Sequence, residues 1–138
     1  EQEVQSALLR DKFMPDGSLV PSIHVAVVKN GEIVDRAVLI AGSETKTPGH
    51  ARFHATSDGT LYALAHVGGE NAGNVLIQVY PKVENPESIA VPLKAPFTSY
   101  CLANTRAGCA PSDTIDIFGY TSGGGNVLSY AQLTVDKL

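Results

Sequence analysis

His50, Arg52 and His54 occupy every second position of one short segment of the sequence. Alternate side chains of an extended strand point to the same face, so all three are expected on one side of a strand. An arginine offers a rigid fork of donors to a carboxylate or sulfate, and a histidine can carry a proton near neutral pH. The spacing therefore predicts His50 and His54 as catalytic residues and Arg52 as a substrate-binding residue. The alternative is structural: Arg52 pairs with a nearby acid, and His54 is a buried histidine with satisfied hydrogen bonds.

Tyr100 is the third predicted catalytic residue, because a tyrosine can serve as base and acid where a cationic neighbour lowers its pKa. Ordinary packing with a single hydrogen bond is the alternative for Tyr100. Glu70, Asn71 and Asn126 follow runs of glycine in polar loops. These three residues are predicted to bind substrate through hydrogen bonds.

The composition restricts the class of protein. The 138 residues suit one domain, and a hydrophobic content of 43% with a net charge of −4 excludes disorder. No apolar stretch of the sequence reaches the roughly 18 residues of a membrane-spanning helix, and the acidic balance argues against a nucleic-acid partner. No metal is predicted, because the spacing of His50, His54 and Asp58 matches no defined site, and no cofactor is expected. A chain that starts at Glu1 without an initiator Met is typical of a processed or trimmed start.

Two cysteines, Cys101 and Cys109, flank a turn-like stretch that includes Asn104 and Gly108. If residues 98–103 and 110–118 form a hairpin, the two cysteines can lie opposite each other, within the reach of a disulfide. We therefore predict a Cys101–Cys109 disulfide. It would indicate an oxidising compartment, and hence a secreted or periplasmic protein. Two free buried thiols are the alternative.

Strand-forming runs separated by turn signals predict an all-β fold. Asn30-Gly31 and Asp58-Gly59 are turn signals, and Pro92 marks an edge strand. Nine strands are predicted, at residues 23–28, 32–40, 51–56, 60–67, 75–80, 88–93, 99–104, 114–120 and 127–135. One or two helical turns are predicted for residues 4–11. The predicted division is an N-terminal segment, 1–21, and a region of β-propeller blades, 22–138.

The blade prediction comes from an internal repeat. Ser22, Asn74 and Asn126 begin similar strand-forming runs, and their positions are 52 residues apart each time. A period near 50 with about four strands is the signature of a propeller blade. Nine strands make about two and a quarter four-stranded antiparallel blades, whereas propellers have about four to eight. Since each blade buries its faces on its neighbours, other chains or a missing part of the protein would have to complete the ring.

Two runs of sequence resemble blade starts of BNR-repeat, sialidase-like propellers, and a third resembles a final blade strand. The runs are GHARFHATSDGTLY at 49–62, PSDTIDIFG at 111–119 and LSYAQL at 128–133. Residues 20–135 are therefore similar to the C-terminal blades of such proteins. The resemblance implies a secreted protein directed at carbohydrates. In a propeller, ligands gather at loops that here correspond to 42–52, 68–74, 94–100 and 121–126.

The predicted function is that of a glycan-processing propeller segment, part of a hydrolase or polysaccharide lyase that acts on an acidic glycan. A lectin-like module is the first alternative, in which several chains close one ring and hold sugars by tyrosine stacking and by hydrogen bonds from Asn or Glu. A structural or interaction subunit without catalysis is the second alternative. The expected partners are a glycan and either other copies of the chain or the rest of a longer propeller.

Overall fold

The computed structural model describes residues 3–13, 19–103 and 108–135. These residues form ten strands: β1 (Glu3–Phe13), β2 (Leu19–Lys29), β3 (Glu32–Ile40), β4 (Lys46–Ala55), β5 (Leu61–Gly69), β6 (Gly73–Tyr80), β7 (Ser88–Val91), β8 (Phe97–Leu102), β9 (Thr114–Thr121) and β10 (Ser129–Thr134). The all-β prediction is confirmed, since the strands form three antiparallel sheets. No helix of the described residues is long and apolar enough to cross a membrane.

Each sheet is a meander, in which strands that follow one another along the chain are also neighbours in space. The first sheet has the order β1-β2-β3, the central sheet β4-β5-β6-β7 and the third sheet β10-β9-β8. Contacts from Lys82 to Asp35 and from Ser57 to Asp113 align the three sheets. The connections 30–31, 56–60 and 81–87 and the described residues 108–113 therefore lie at one end of the stack, the turn end. The connections 41–45, 70–72, 92–96 and 122–128 lie at the opposite end, the loop end.

Two turns at the turn end follow from the turn signals of the sequence. Asn30 and Gly31 both have left-handed backbone angles, with φ of 54° and 82°, as a two-residue type I′ hairpin requires. At the next turn, Asp58 accepts hydrogen bonds from the Thr56 hydroxyl at 2.7 Å and the Thr60 amide at 2.9 Å. An aspartate that bonds its own turn in this way stabilises the reversal of the chain.

The central sheet is buried on both faces, because the first sheet covers one face and the third sheet covers the other. Leu64 and Leu76 stand opposite each other on β5 and β6, and they pack with Ile117 of the third sheet. Ile77, the next residue along β6, points the other way and packs with Ile23 of the first sheet. Full burial of such a side chain contributes about 1.5–3 kcal/mol. The stacking of the sheets is therefore a main source of stability.

The helical turns predicted for residues 4–11 are wrong, because this segment lies within strand β1. Its main chain pairs with β2 in an antiparallel register that sets Ala7 opposite His24. The pairing is non-local, and it decides the conformation against the local spacing of apolar residues. The first sheet consequently has three strands, where the sequence predicted two.

The predicted Cys101–Cys109 disulfide is also wrong. Strands β8 and β9 do form the expected hairpin, but Phe118 is the residue opposite Cys101. Cys109 lies in the connection between the strands, five residues before β9 begins at Thr114. Both cysteines are exposed and unbonded, so the alternative of buried thiols is wrong as well.

The predicted 52-residue repeat is met in part. Ser22 lies within β2 and Asn74 within β6, whereas Asn126 lies in the connection ahead of β10. The central sheet has four strands, the number predicted for one blade, and the third sheet has three. Closure into a propeller stays a prediction.

Candidate functional site

His50 and Tyr100 are brought together at the junction of the central and third sheets. His50 Nε2 donates a hydrogen bond to the main-chain oxygen of Tyr100 at 2.7 Å, and the two rings meet edge to face with centroids 4.8 Å apart. The Tyr100 hydroxyl donates in turn to the main-chain oxygen of Leu64 at 2.7 Å and lies 3.2 Å from that of His50. Both side chains therefore connect the sheets through main-chain acceptors.

The environment of Tyr100 opposes its use as a base. Burial raises the pKa of its hydroxyl, and the nearby charge of Arg52 lowers that pKa to a smaller extent. The residue is 2% exposed, and its proton is engaged by main-chain oxygens. Tyr100 thus stays protonated near neutral pH, and its catalytic role is a prediction that these contacts do not favour.

His54 makes a similar contact nearer the turn end. Its Nε2 donates to the main-chain oxygen of Ser112 at 2.6 Å, and the residue is buried. Beside this contact, the amide and the hydroxyl of Ser57 each donate to the Asp113 carboxylate at 2.8 Å. These bonds from Ser57 hold the pKa of Asp113 below its usual value. His54 therefore matches the structural alternative, a buried histidine with a satisfied hydrogen bond.

Arg52 lies between the two histidines on β4 but does not bond to the third sheet as they do. It pairs across the sheet with Leu64, which packs toward the third sheet, as the alternation of the sequence predicts. Its guanidinium, however, is exposed and donates to the main-chain oxygen of Ala51 at 2.9 Å. Arg52 therefore stands outside the buried junction that His50 and His54 brace.

A cleft of about 520 Å³ opens at the loop end of the central sheet. Its volume falls in the range of about 300–1,000 Å³ that is typical of small-molecule sites. Thr45, Glu70, Asn71 and Pro96 line it from three different connections, and Lys46 lines it from the start of β4. Three of the four loops in which ligands were expected, 42–52, 68–74 and 94–100, therefore contribute to one cavity.

Close contact between two of these loops positions the polar rim of the cleft. The Glu70 amide donates to the main-chain oxygen of Thr45 at 3.0 Å, and main-chain bonds between Ser43 and Lys46 close the neighbouring turn. Gly69 has φ of 97°, and a Cβ at this residue would collide with the Thr45 oxygen. Glycine is required for this approach, which brings Lys46 and Glu70 to the same rim.

Two asparagines have different parts in the cleft. Asn71, with φ of 58°, presents an exposed side chain at the rim. Asn74 is buried at the base, where its side-chain amide donates to the Phe97 oxygen at 3.0 Å and accepts from the Phe97 amide at 2.7 Å. This paired bond fixes the start of β8, and with it the 92–96 connection that forms one wall.

The sequence identified only part of this lining. Glu70 and Asn71 were predicted, whereas Lys46 and Ser88 were missed, because no local pattern connects them to a glycine loop elsewhere in the chain. For Asn74, the one available sequence signal was that it begins one of the three runs of the predicted repeat. Asn126, the third predicted binding residue, is exposed in the 122–128 connection and does not line this cleft.

Comparisons with protein-family models, curated proteins and solved structures gave no match for this chain. The resemblance to BNR-repeat propellers therefore rests on its sequence runs alone. Within the part of the chain that the structure describes, no three His, Cys, Asp or Glu side chains form a group that could hold a metal ion.

Proposed function

We propose that the chain is a glycan-binding segment of propeller-like architecture, which holds an acidic carbohydrate in the cleft at the loop end of the central sheet. The observation that carries the proposal is the convergence of Lys46, Glu70 and Asn71 on the rim of one cleft. This function is the lectin-like alternative of the sequence. It is preferred over catalysis because the three predicted catalytic side chains donate to main-chain oxygens at a buried junction.

The rim chemistry suits an acidic sugar. The Lys46 ammonium is a compact positive charge with three donors, which fits a carboxylate or a sulfate. The Glu70 carboxylate can accept from sugar hydroxyls, and the Asn71 amide can both donate and accept. Val75 and Ala90 line the same cleft and offer an apolar surface to the C–H face of a sugar ring. A hydrogen bond to a charged group contributes about 1.5–3 kcal/mol, which corresponds to about tenfold or more in affinity.

The arrangement of the sheets supports the architectural part of the proposal. Three meander sheets stack face to face, and the connections between sheets meet the β5–β6 loop at one end, where propellers hold their ligands. A secreted or periplasmic location belongs to the same proposal. It now rests on the resemblance to secreted propellers, because the two cysteines are free.

Titration calorimetry with three polysaccharides tests the proposal: a uronic-acid polymer, a sulfated polymer and a neutral glucan. We expect binding to at least one acidic polymer. Lys46→Gln should lower the affinity for that polymer about tenfold, through the loss of one charge-assisted bond. Asn71→Gly should also weaken binding, and it removes the side chain without backbone strain because glycine accepts a positive φ.

Asn85→Gly is the matched control for Asn71→Gly. Asn85 also has a left-handed φ, 55°, but it lies in the 81–87 connection at the turn end. Binding that stays unchanged in both Lys46→Gln and Asn71→Gly, or an equal loss in Asn85→Gly, would contradict the cleft as the site. Release of unsaturated sugars or of new reducing ends, abolished by His54→Ala in a folded variant, would support the enzyme instead.

A further inference from the structure

The third sheet carries an aromatic surface on the side away from the central sheet. Alternation along β9 and β10 sets Asp116, Phe118, Tyr120, Tyr130 and Gln132 on this third-sheet outer face, opposite to the buried isoleucines of β9. Phe118, Tyr120 and Tyr130 are 41%, 46% and 65% exposed, and none of the described residues on this face is buried. Exposed aromatic side chains grouped on one face mark a binding surface.

The three aromatic side chains are neighbours in the sheet. Phe118 stands directly opposite Tyr130 of β10, and on its other side it stands opposite Cys101 of β8. Directly opposed side chains have Cβ atoms about 4.5–5.5 Å apart. Tyr120 follows Phe118 on the same face of β9, two residues or about 7 Å further along the strand. The rings therefore form one patch that extends toward the loop end.

Tyr130 is held in place although it is the most exposed of the three. Its hydroxyl donates to Asp116 Oδ1 at 2.5 Å, and Gln132 Nε2 donates to the same oxygen at 2.9 Å. The bond from Tyr130 ties the outer end of its ring to a side chain on the neighbouring strand, so the ring lies along the sheet. A side chain that is fixed before a ligand arrives loses less conformational entropy on binding, which favours affinity.

A negative charge at the edge of the patch restricts what can cover it. The bonds from Tyr130 and Gln132 hold the pKa of Asp116 below its usual value, so the carboxylate is an anion at neutral pH. Both bonds fall on Oδ1, and none of the described residues donates to Oδ2. An apolar protein surface would bury this anion without a partner, at a cost of several kcal/mol. A nucleic-acid strand would need a positive groove, whereas β8, β9 and β10 contain no lysine or arginine.

A neutral sugar ring has the chemistry that this face requires. A β-linked glucose unit has C–H groups on the two sides of its ring and hydroxyls around its edge. The C–H side can pack on an aromatic ring, and the hydroxyls can donate to Asp116 Oδ2 and to the amide oxygen of Gln132. The Asp116 carboxylate would repel a sugar that carries its own negative charge.

We propose that the third-sheet outer face is a second carbohydrate site, on which the rings of a neutral β-linked glucan stack on Phe118, Tyr120 and Tyr130. This site goes beyond the loop-end cleft and does not depend on it. Its ligand is uncharged, whereas Lys46 at the cleft favours an acidic sugar, so the two sites can be told apart by their ligands.

Titration calorimetry with cellohexaose, a soluble hexamer of β-linked glucose, tests the site. The wild-type chain should bind the hexamer. Tyr130→Ala and Phe118→Ala should each lower the affinity about tenfold, comparable to the loss of one stacked base from an aromatic platform. The matched control is Tyr80→Ala, since Tyr80 is 51% exposed but lies at the end of β6 in the central sheet. Its affinity should be unchanged, and circular dichroism should report the same β spectrum for all three variants.

The two free cysteines report where the hexamer binds. Cys101 lies beside Phe118 on the third-sheet outer face, whereas Cys109 lies in the connection before β9, and both are exposed. Saturating cellohexaose should slow the labelling of Cys101 by iodoacetamide about tenfold and leave the labelling of Cys109 unchanged. Mass spectrometry of the labelled peptides measures both rates. This test uses the wild-type chain, so it holds even if a variant fails to fold.

Several results would overturn the proposal. They are the absence of cellohexaose binding by the wild-type chain, an equal loss of affinity in Tyr80→Ala, and labelling of Cys101 that the hexamer does not slow. Loss of cellohexaose binding in Lys46→Gln but not in Tyr130→Ala would place the hexamer in the loop-end cleft instead. A doubled mass in light scattering that Tyr130→Ala returns to that of one chain would assign the face to a second copy. A failure of acidic polymers to bind contradicts the cleft alone, because the face is tested with an uncharged ligand.

Discussion

Replacement of Tyr100 by phenylalanine removes one buried oxygen and almost nothing else, so it measures the hydroxyl brace between the central and third sheets. The hydroxyl donates to the main-chain oxygen of Leu64 at 2.7 Å inside a residue that is 2% exposed. Loss of the donor leaves a buried carbonyl without this partner, at a cost of about 1–3 kcal/mol. We expect Tyr100→Phe to lower the free energy of unfolding at pH 7 by that amount. Urea unfolding followed by circular dichroism measures it.

The pH dependence of the free energy of unfolding gives a second, independent test of the same variant. Burial raises the pKa of folded Tyr100, so the neutral hydroxyl stabilises the fold fully below about pH 10, the ordinary pKa of tyrosine. As the pH rises above 10, the unfolded chain loses this proton while the folded chain retains it. The wild-type chain then loses about 1.4 kcal/mol per pH unit at this residue, and the phenylalanine variant does not. The stability difference between the two should therefore shrink above pH 10.

Tyr120→Phe is the control for both measurements, because Tyr120 lies on β9 and is 46% exposed. We expect its free energy of unfolding at pH 7 to change by less than about 0.5 kcal/mol, as for other surface substitutions. The reasoning fails if Tyr100→Phe is as stable as this control at pH 7. It fails equally if the difference between Tyr100→Phe and the wild type stays constant from pH 9 to pH 11.

Three further predictions concern the loops and the thiols. Gly69→Ala should destabilise the fold by more than Gly59→Ala in urea unfolding: both glycines have positive φ, a strain of about 1–2 kcal/mol, but only Gly69 also has a main-chain oxygen in the way of a Cβ. Equal losses would contradict the close approach of the two loops. Asp113→Asn should lower the melting temperature at pH 7, and the difference should shrink as the pH falls below 3.8 toward the lowered pKa of the folded carboxyl. A difference that is the same at pH 7 and at pH 2 would refute the charge-based explanation. A thiol reagent should label Cys101 and Cys109 in the native chain, counted by mass spectrometry, and an unlabelled, linked pair would contradict the structure.

Strand positions were largely predictable from sequence, because alternation and turn chemistry are local properties. Asn30-Gly31 specifies a two-residue hairpin turn by its backbone angles alone. The β1 segment shows the limit of this reasoning. Its apolar residues satisfy a helical spacing equally well, and only pairing with a strand about 15 residues further along makes it extended. Such a choice depends on tertiary contacts that no local window contains.

The candidate site was less predictable for the same reason. The glycine loop that carries Glu70 and Asn71 was recognisable, but its meeting with Lys46 depends on how two loops fit together in space. The alternation of His50 and His54 correctly indicated a shared face of β4. It gave no indication that both imidazoles bond to main-chain oxygens, that of Tyr100 in β8 and that of Ser112 just before β9.

The hydrogen bonds that join the central and third sheets restrict which residues of this chain can change over evolutionary time. Side chains make these bonds, and the acceptors are main-chain oxygens of Leu64, Tyr100, Ser112 and Phe97. A peptide group is supplied by any amino acid, so the bond to position 112 constrains His54 but not the side chain at 112, where the Ser112 hydroxyl accepts only a local bond from the Thr114 amide. Homologous sequences should accordingly vary more at positions that contribute only a main-chain oxygen to these bonds. They should vary less at positions whose imidazole or amide side chain makes the bond.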